Sequence, residues 1–144
     1  MPRSTISGLV IVHCTDGIDI AEHIAASGFP AIVGPSMNPC SKQEVWNKSF
    51  ETAGILNRAG VKVCITADHD VTPLYYLPIY AAMAVRFGMD DAEALRAVTS
   101  YPSRDFGIDD RKGALAAEKM RISLSESSIH LIFMRKQNMF LLRK

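Results

Sequence analysis

Cysteine is scarce in this chain of 144 residues: Cys14, Cys40 and Cys64 stand far apart, and no two of them form a C-x-x-C pair. That spacing excludes a disulfide framework and a zinc knuckle, and it suits buried or half-buried thiols in a reducing compartment. Long apolar runs are missing too. None nears the roughly 20 residues that cross a bilayer, so no membrane partner is expected. The opening MPRSTISGLVIVHC has one Arg, a short apolar run and no small-residue cleavage site, which points to a cytoplasmic chain. A large excess of one charge is also lacking, since the net is +1. Yet residues 1–110 hold 8 Lys/Arg against 13 Asp/Glu, a net of −5, while residues 111–144 hold 8 against 2, a net of +6. A basic end of that kind often binds nucleic acid or membrane.

What is present is ordinary in bulk and regular in order. The 48% hydrophobic and 22% charged content fit a globular chain, and the length fits one domain or a piece of one. Leu9-Val10-Ile11-Val12 is a short β-rich run ending at His13. A helical stretch over residues 18–26 follows, stopped by Gly28. Pro30-Ala31-Ile32-Val33-Gly34-Pro35 gives a second strand, and residues 44–58 a second helix with Gly60 behind it. Trp46 and Phe50, four apart on that helix, are expected in the core. Val61-Lys62-Val63-Cys64-Ile65 is the third strand, residues 74–87 a third and largely apolar helix. Asp90-x-x-Glu93 reads as a capping box that opens a last short helix through Val98. Strands alternating with helices of 10–15 residues mean βαβ units and a parallel sheet.

One stretch asks for chemistry. In ITADHDVTP the third strand ends on Asp68-His69-Asp70 and is turned by Thr72-Pro73. An Asp cap for a helix that Pro73 starts is one reading. A cluster at the C-terminal end of a parallel strand is the other. Right-handed crossovers bring strand ends to one mouth, so His13 and Asp68 are expected at the same mouth although 55 positions separate them.

His13-Cys14-Thr15-Asp16-Gly17, Ile32-Val33-Gly34-Pro35, Phe50-Glu51-Thr52-Ala53-Gly54-Ile55-Leu56, Ala59-Gly60-Val61-Lys62-Val63 and Asp68-His69-Asp70-Val71-Thr72-Pro73 follow one another in order. Together, over roughly residues 8–117, they resemble the C-terminal part of a metal-dependent amidohydrolase of the imidazolonepropionase-like group. The resemblance implies a partial (β/α)8 TIM-type barrel of the α/β class, holding strands six to eight with their helices. It implies hydrolysis of a non-peptide C–N bond in a cyclic amide or related small molecule. The cofactor would be a divalent metal: zinc first, with iron or manganese as alternatives. Asp68 would ligate that metal and act as general base; His13 would ligate it or hydrogen-bond the attacking water; His69 would contact substrate. Asp70 stands where much of the group has Pro and receives no role. Nor does His23, a surface or packing residue.

The family's other ligands, a His-x-His pair after the first strand and a His after the fifth, have no counterpart in a chain starting at the sixth. Zinc catalysis needs three protein ligands and a water, and this chain offers His13 and Asp68. It is therefore expected to be inactive alone, to hold metal weakly, and to self-associate through open sheet edges. Residues 1–116 form the barrel part on this reading, and residues 117–144 a basic tail that does not fold independently. One register over, the codons for residues 117–122 permit Gly-Lys-Asp-Ala-Asp, the acidic turn that the family places there. The tail then reads as a frameshift product, and its charge implies no nucleic acid. Two alternatives stand beside this: a subunit completing a barrel with another chain, and a non-catalytic α/β module with a basic binding tail.

Overall fold

The computed structural model describes residues 8–40 and 42–120, so most of the basic tail, residues 121–144, lies outside the described residues. Two parallel strands carry the centre: β1 (Ala31–Val33) and β2 (Val63–Ile65), with Ala31 opposite Val63, Ile32 opposite Cys64 and Val33 opposite Ile65. Ile11 adds a single parallel bridge to Ala31. Its N–H donates to the Pro30 carbonyl at 2.9 Å, and its own carbonyl accepts from Ile32 at 2.8 Å. Three segments therefore lie side by side in chain order and run the same way, as the alternation of elements predicts.

The first of them is shorter than its apolar run suggests. Leu9 and Val12 are exposed, and His13 and Cys14 turn out of extended geometry with φ of +68° and +41°. With no described strand on its outer side, little packing rewards a longer ladder.

Helices cover the sheet. A 3-10 turn (Gly17–Ile20) leads into α1 (Ala21–Ser27), whose Ala21 and Ile24 are buried. The second helix is shorter than expected: a 3-10 turn (Gln43–Val45) stands apart, and α2 begins only at Thr52 and ends at Arg58. The cause is local. Ser49 accepts from the Glu51 N–H at 3.0 Å, and its carbonyl accepts from the Thr52 hydroxyl at 3.0 Å, bonds that compete with helical ones. Trp46 and Phe50 consequently share no helix. Trp46 is 67% exposed, while Phe50 stacks on Phe87 with ring centroids 5.4 Å apart.

The third helix, α3 (Leu77–Arg86), follows a 3-10 turn (Leu74–Tyr76) and buries Tyr80, Ala81, Ala82, Ala84 and Val85. Asp90 caps α4 (Asp91–Ala97), its carboxylate accepting from Ala92 at 3.0 Å and Glu93 at 3.2 Å. The reciprocal half of the capping box is not made, because Glu93 turns to Asn57, Arg96 and Tyr101. A further helix, α5 (Ser100–Asp105), is absent from the sequence reading. Pro102 looks like a breaker, yet it sits in the first turn, where an N–H would find no intrahelical partner.

The core lies where these helices meet β2. Leu56, Val63, Ala31, Ala94 and Ala97 are fully buried there, and α2, α3, α4 and α5 all touch β2. Such cover suits a parallel strand, which needs apolar neighbours on both faces. Among the described residues no helix is long and apolar enough to cross a membrane.

Candidate functional site

Parallel packing sends the C-terminal ends of the three segments the same way, and the candidate residues sit there. His13 lies just past Ile11, with its ring Nδ1 2.9 Å from the Gly34 carbonyl. A carbonyl can only accept, so Nδ1 carries a proton, and in the neutral ring Nε2 is the acceptor. A backbone anchor of this kind orients a histidine toward a metal or a water. Gly34 follows β1 directly with φ of +121°, and a Cβ there would lie 2.3 Å from the Thr66 carbonyl. Only glycine lets the two strand ends close this tightly.

Thr66 continues the line. Its hydroxyl accepts from the Asp68 N–H at 3.0 Å, and the Asp68 carbonyl accepts from Val71 at 2.6 Å. Asp68 itself is left-handed, with φ of +52°. A chain of contacts thus runs from His13 through Gly34 and Thr66 to Asp68. The two residues that the sequence separates by 55 positions lie at the same end of one sheet.

The capping reading of the acidic loop fails on the same geometry. Pro73 occupies the N-cap position of the following turn, and no side chain caps it. Asp70 pairs with His69, Nε2 to Oδ1 at 2.9 Å, with both side chains facing solvent. Exposed pairs of this sort contribute little. His69 is thus placed on the site loop, turned toward Asp70.

No group of three His, Cys, Asp or Glu that could hold a metal occurs among the described residues. His13 Nε2 and the Asp68 carboxylate are of the right chemistry for a divalent ion, but two donors fall short of the three of a catalytic zinc site. The thiols do not fill the gap. Burial raises the Cys14 thiol, and burial with the Asp105 carboxylate 3.2 Å from Sγ raises that of Cys64, which disfavours the thiolate that a metal ligand or nucleophile requires. Cys40, expected to be at least half-buried, is exposed.

The loops around the mouth are tied down. Lys48 Nζ donates to both the carbonyl and the side-chain oxygen of Asn38, at 3.1 and 2.6 Å. Tyr80, which the sequence reading does not single out, places its hydroxyl 2.9 Å from the Thr72 hydroxyl and accepts from the Met37 N–H at 3.4 Å. A tyrosine in an apolar helix is a signal in itself, because its polar tip needs a partner when buried. Behind this mouth, among Val33, Ser36, Phe50, Ala53, Ile65, Tyr80 and Ala84, the space is no larger than a water. A wider hollow among residues 85–89, Glu51 and Asp91 lies away from His13 and Asp68.

No family model matches the chain, and no curated protein does. Solved structures do. An amidohydrolase from Thermotoga maritima MSB8 is 32% identical with a TM-score of 0.73, over 77% of this chain and 29% of that one. An adenosine deaminase from Xanthomonas campestris with bound zinc is 26% identical with a TM-score of 0.55, over 77% of this chain and 27% of that one. The chain therefore spans less than a third of each of these solved chains. In fold and in sequence it is similar to an amidohydrolase and to a deaminase, which supports an origin in that group of hydrolases.

Proposed function

We propose that this chain is the C-terminal part of a metal-dependent amidohydrolase of the imidazolonepropionase-like group. On this reading residues up to about 116 supply strands six to eight of its barrel. The parent enzyme would hydrolyse a C–N bond of a cyclic amide or related small molecule in the cytoplasm. The observation that carries this is that His13 and Asp68 both follow parallel segments at the same end of the sheet, His13 bonded to Gly34 and Asp68 to Thr66.

Each residue has a role that its chemistry suits. A divalent metal, zinc first, would bring the pKa of a bound water toward neutrality. The Asp68 carboxylate takes a proton from the attacking water and returns it to the leaving nitrogen. His13 offers Nε2 as ligand or acceptor, held by its bond to Gly34. His69, exposed on the same loop, would meet substrate. With two donors the chain alone holds metal loosely and turns nothing over.

A second reading is a subunit whose site is completed by another chain. It is favoured by β2, whose side chains are buried while no strand lies beyond it among the described residues. Elemental analysis after dialysis, with assays on cyclic amides, tests both. Little metal and no turnover is the expected result. One tightly held metal per chain, lost in Asp68→Ala, would replace the fragment by an assembled site.

A further inference from the structure

We propose that Tyr80 is a positioning residue, whose hydroxyl locks the loop after β1 to the loop after β2 and so holds Asp68 in place. The inference rests on the proposed role of Asp68 and names what steadies it. Tyr80 is 3% exposed, and its ring is part of the core formed by α3 and the sheet. A buried hydroxyl needs only one partner to be satisfied. This one has two, on different loops. Met37 lies after β1 and donates to it, which uses an oxygen lone pair. The same hydroxyl shares a second hydrogen bond with the Thr72 hydroxyl, 2.9 Å away on the loop after β2, in which either oxygen can donate. A relay results, with the Tyr80 oxygen bonded to the Met37 N–H on one loop and to the Thr72 hydroxyl on the other.

The loop it reaches is one that needs holding. Asp68 sits in the left-handed region, which persists in a residue with a side chain when its surroundings over-determine it. One restraint is the Thr66 hydroxyl on the Asp68 N–H, and a second is the turn closed by Val71. Tyr80 supplies the third, at the far end of the same turn through Thr72. Because the core fixes the ring, the hydroxyl refers both loops to one rigid point.

The test is hydrogen–deuterium exchange by mass spectrometry on the full chain, comparing peptides over residues 35–42, 61–66 and 67–73. Tyr80→Phe keeps the ring and removes only the oxygen. Exchange is expected to rise about three- to tenfold in both loop peptides, as losing about one hydrogen bond implies, with 61–66 unchanged. Thr72→Val should speed exchange across the relay, at 35–42, while Thr72→Ser restores the wild-type pattern. A Thr72→Val effect confined to its own loop would overturn the proposal. So would a Tyr80→Phe effect that spreads equally to 61–66, the mark of general loosening. If Tyr80→Phe fails to fold, the Thr72 pair decides alone. Exchange needs no metal, so one tightly held metal per chain would overturn the fragment reading and leave this result standing.

Discussion

His13 and Asp68 both have left-handed backbones, and that conformation has an energetic consequence. For a residue with a Cβ it costs about 1–2 kcal/mol, less for Asp, whose short side chain tolerates it. Gly34 is the contact on which both depend, since it accepts from His13 and packs on Thr66. Gly34→Ala is expected to cost on the order of 3 kcal/mol, from the positive φ and the collision with the Thr66 carbonyl together. Gly60→Ala is the matched control. It has φ of +93° with nothing within 4 Å of the added carbon, so about 1 kcal/mol is expected there. Urea unfolding of the two variants gives the comparison, and equal losses would remove Gly34 from the centre of the site. The sequence carried the two titratable residues because their order around parallel strands follows from element alternation alone. It could not show the His13–Gly34 bond. A side chain bonded to a backbone carbonyl leaves no mark on the identity of the acceptor residue.

Single helices were legible where their signals are local and obscured where tertiary partners intervene. Asp90 behaves as a cap should, and Asp90→Ala is expected to cost about 1 kcal/mol. Glu93 was read as the other half of a capping box, but it has better partners. Its carboxylate joins α4 to Asn57 of α2 and Tyr101 of α5, besides pairing with Arg96. Neither α5 nor the approach of α2 can be read from a four-residue motif.

These bonds hold the Glu93 carboxyl below the usual range, the Tyr101 hydroxyl contributing most. A folded-state pKa below the unfolded one adds stability that is fully present above the unfolded value, about 4.3 for glutamate. It is lost as pH falls through the folded value. Urea midpoints measured from pH 6 down to pH 3 should therefore fall more steeply for the wild type than for Glu93→Gln. Parallel curves would mean that the three helices are not joined through this charge.

Across the described residues, the parallel sheet has too few strands for its cover. β2 is buried and touched by four helices, as an interior strand would be, yet among the described residues it ends the sheet. On the opposite side Leu9 and Val12 stand exposed beside Ile11. Val71, Leu74 and Tyr75 add an apolar patch at the mouth, the last two 63% and 73% exposed. The βαβ order was readable because each unit is local. Closure was not, because it depends on strands that the described chain does not contain.

Natural sheets blunt free edges with charge, and this one presents apolar residues instead. Self-association is the expected outcome, visible in sedimentation velocity as larger species that grow with concentration. Val12→Lys tests the cause at the edge itself. Val12 is already 58% exposed, so the charge leaves the core untouched while making strand addition at that side unfavourable. The variant should shift toward a smaller species with its thermal midpoint nearly unchanged. A wild-type chain that stays monomeric at all concentrations, with one cooperative unfolding transition, would show that the edges are satisfied within the chain. The reading of the chain as part of a larger barrel would then lose its main physical support.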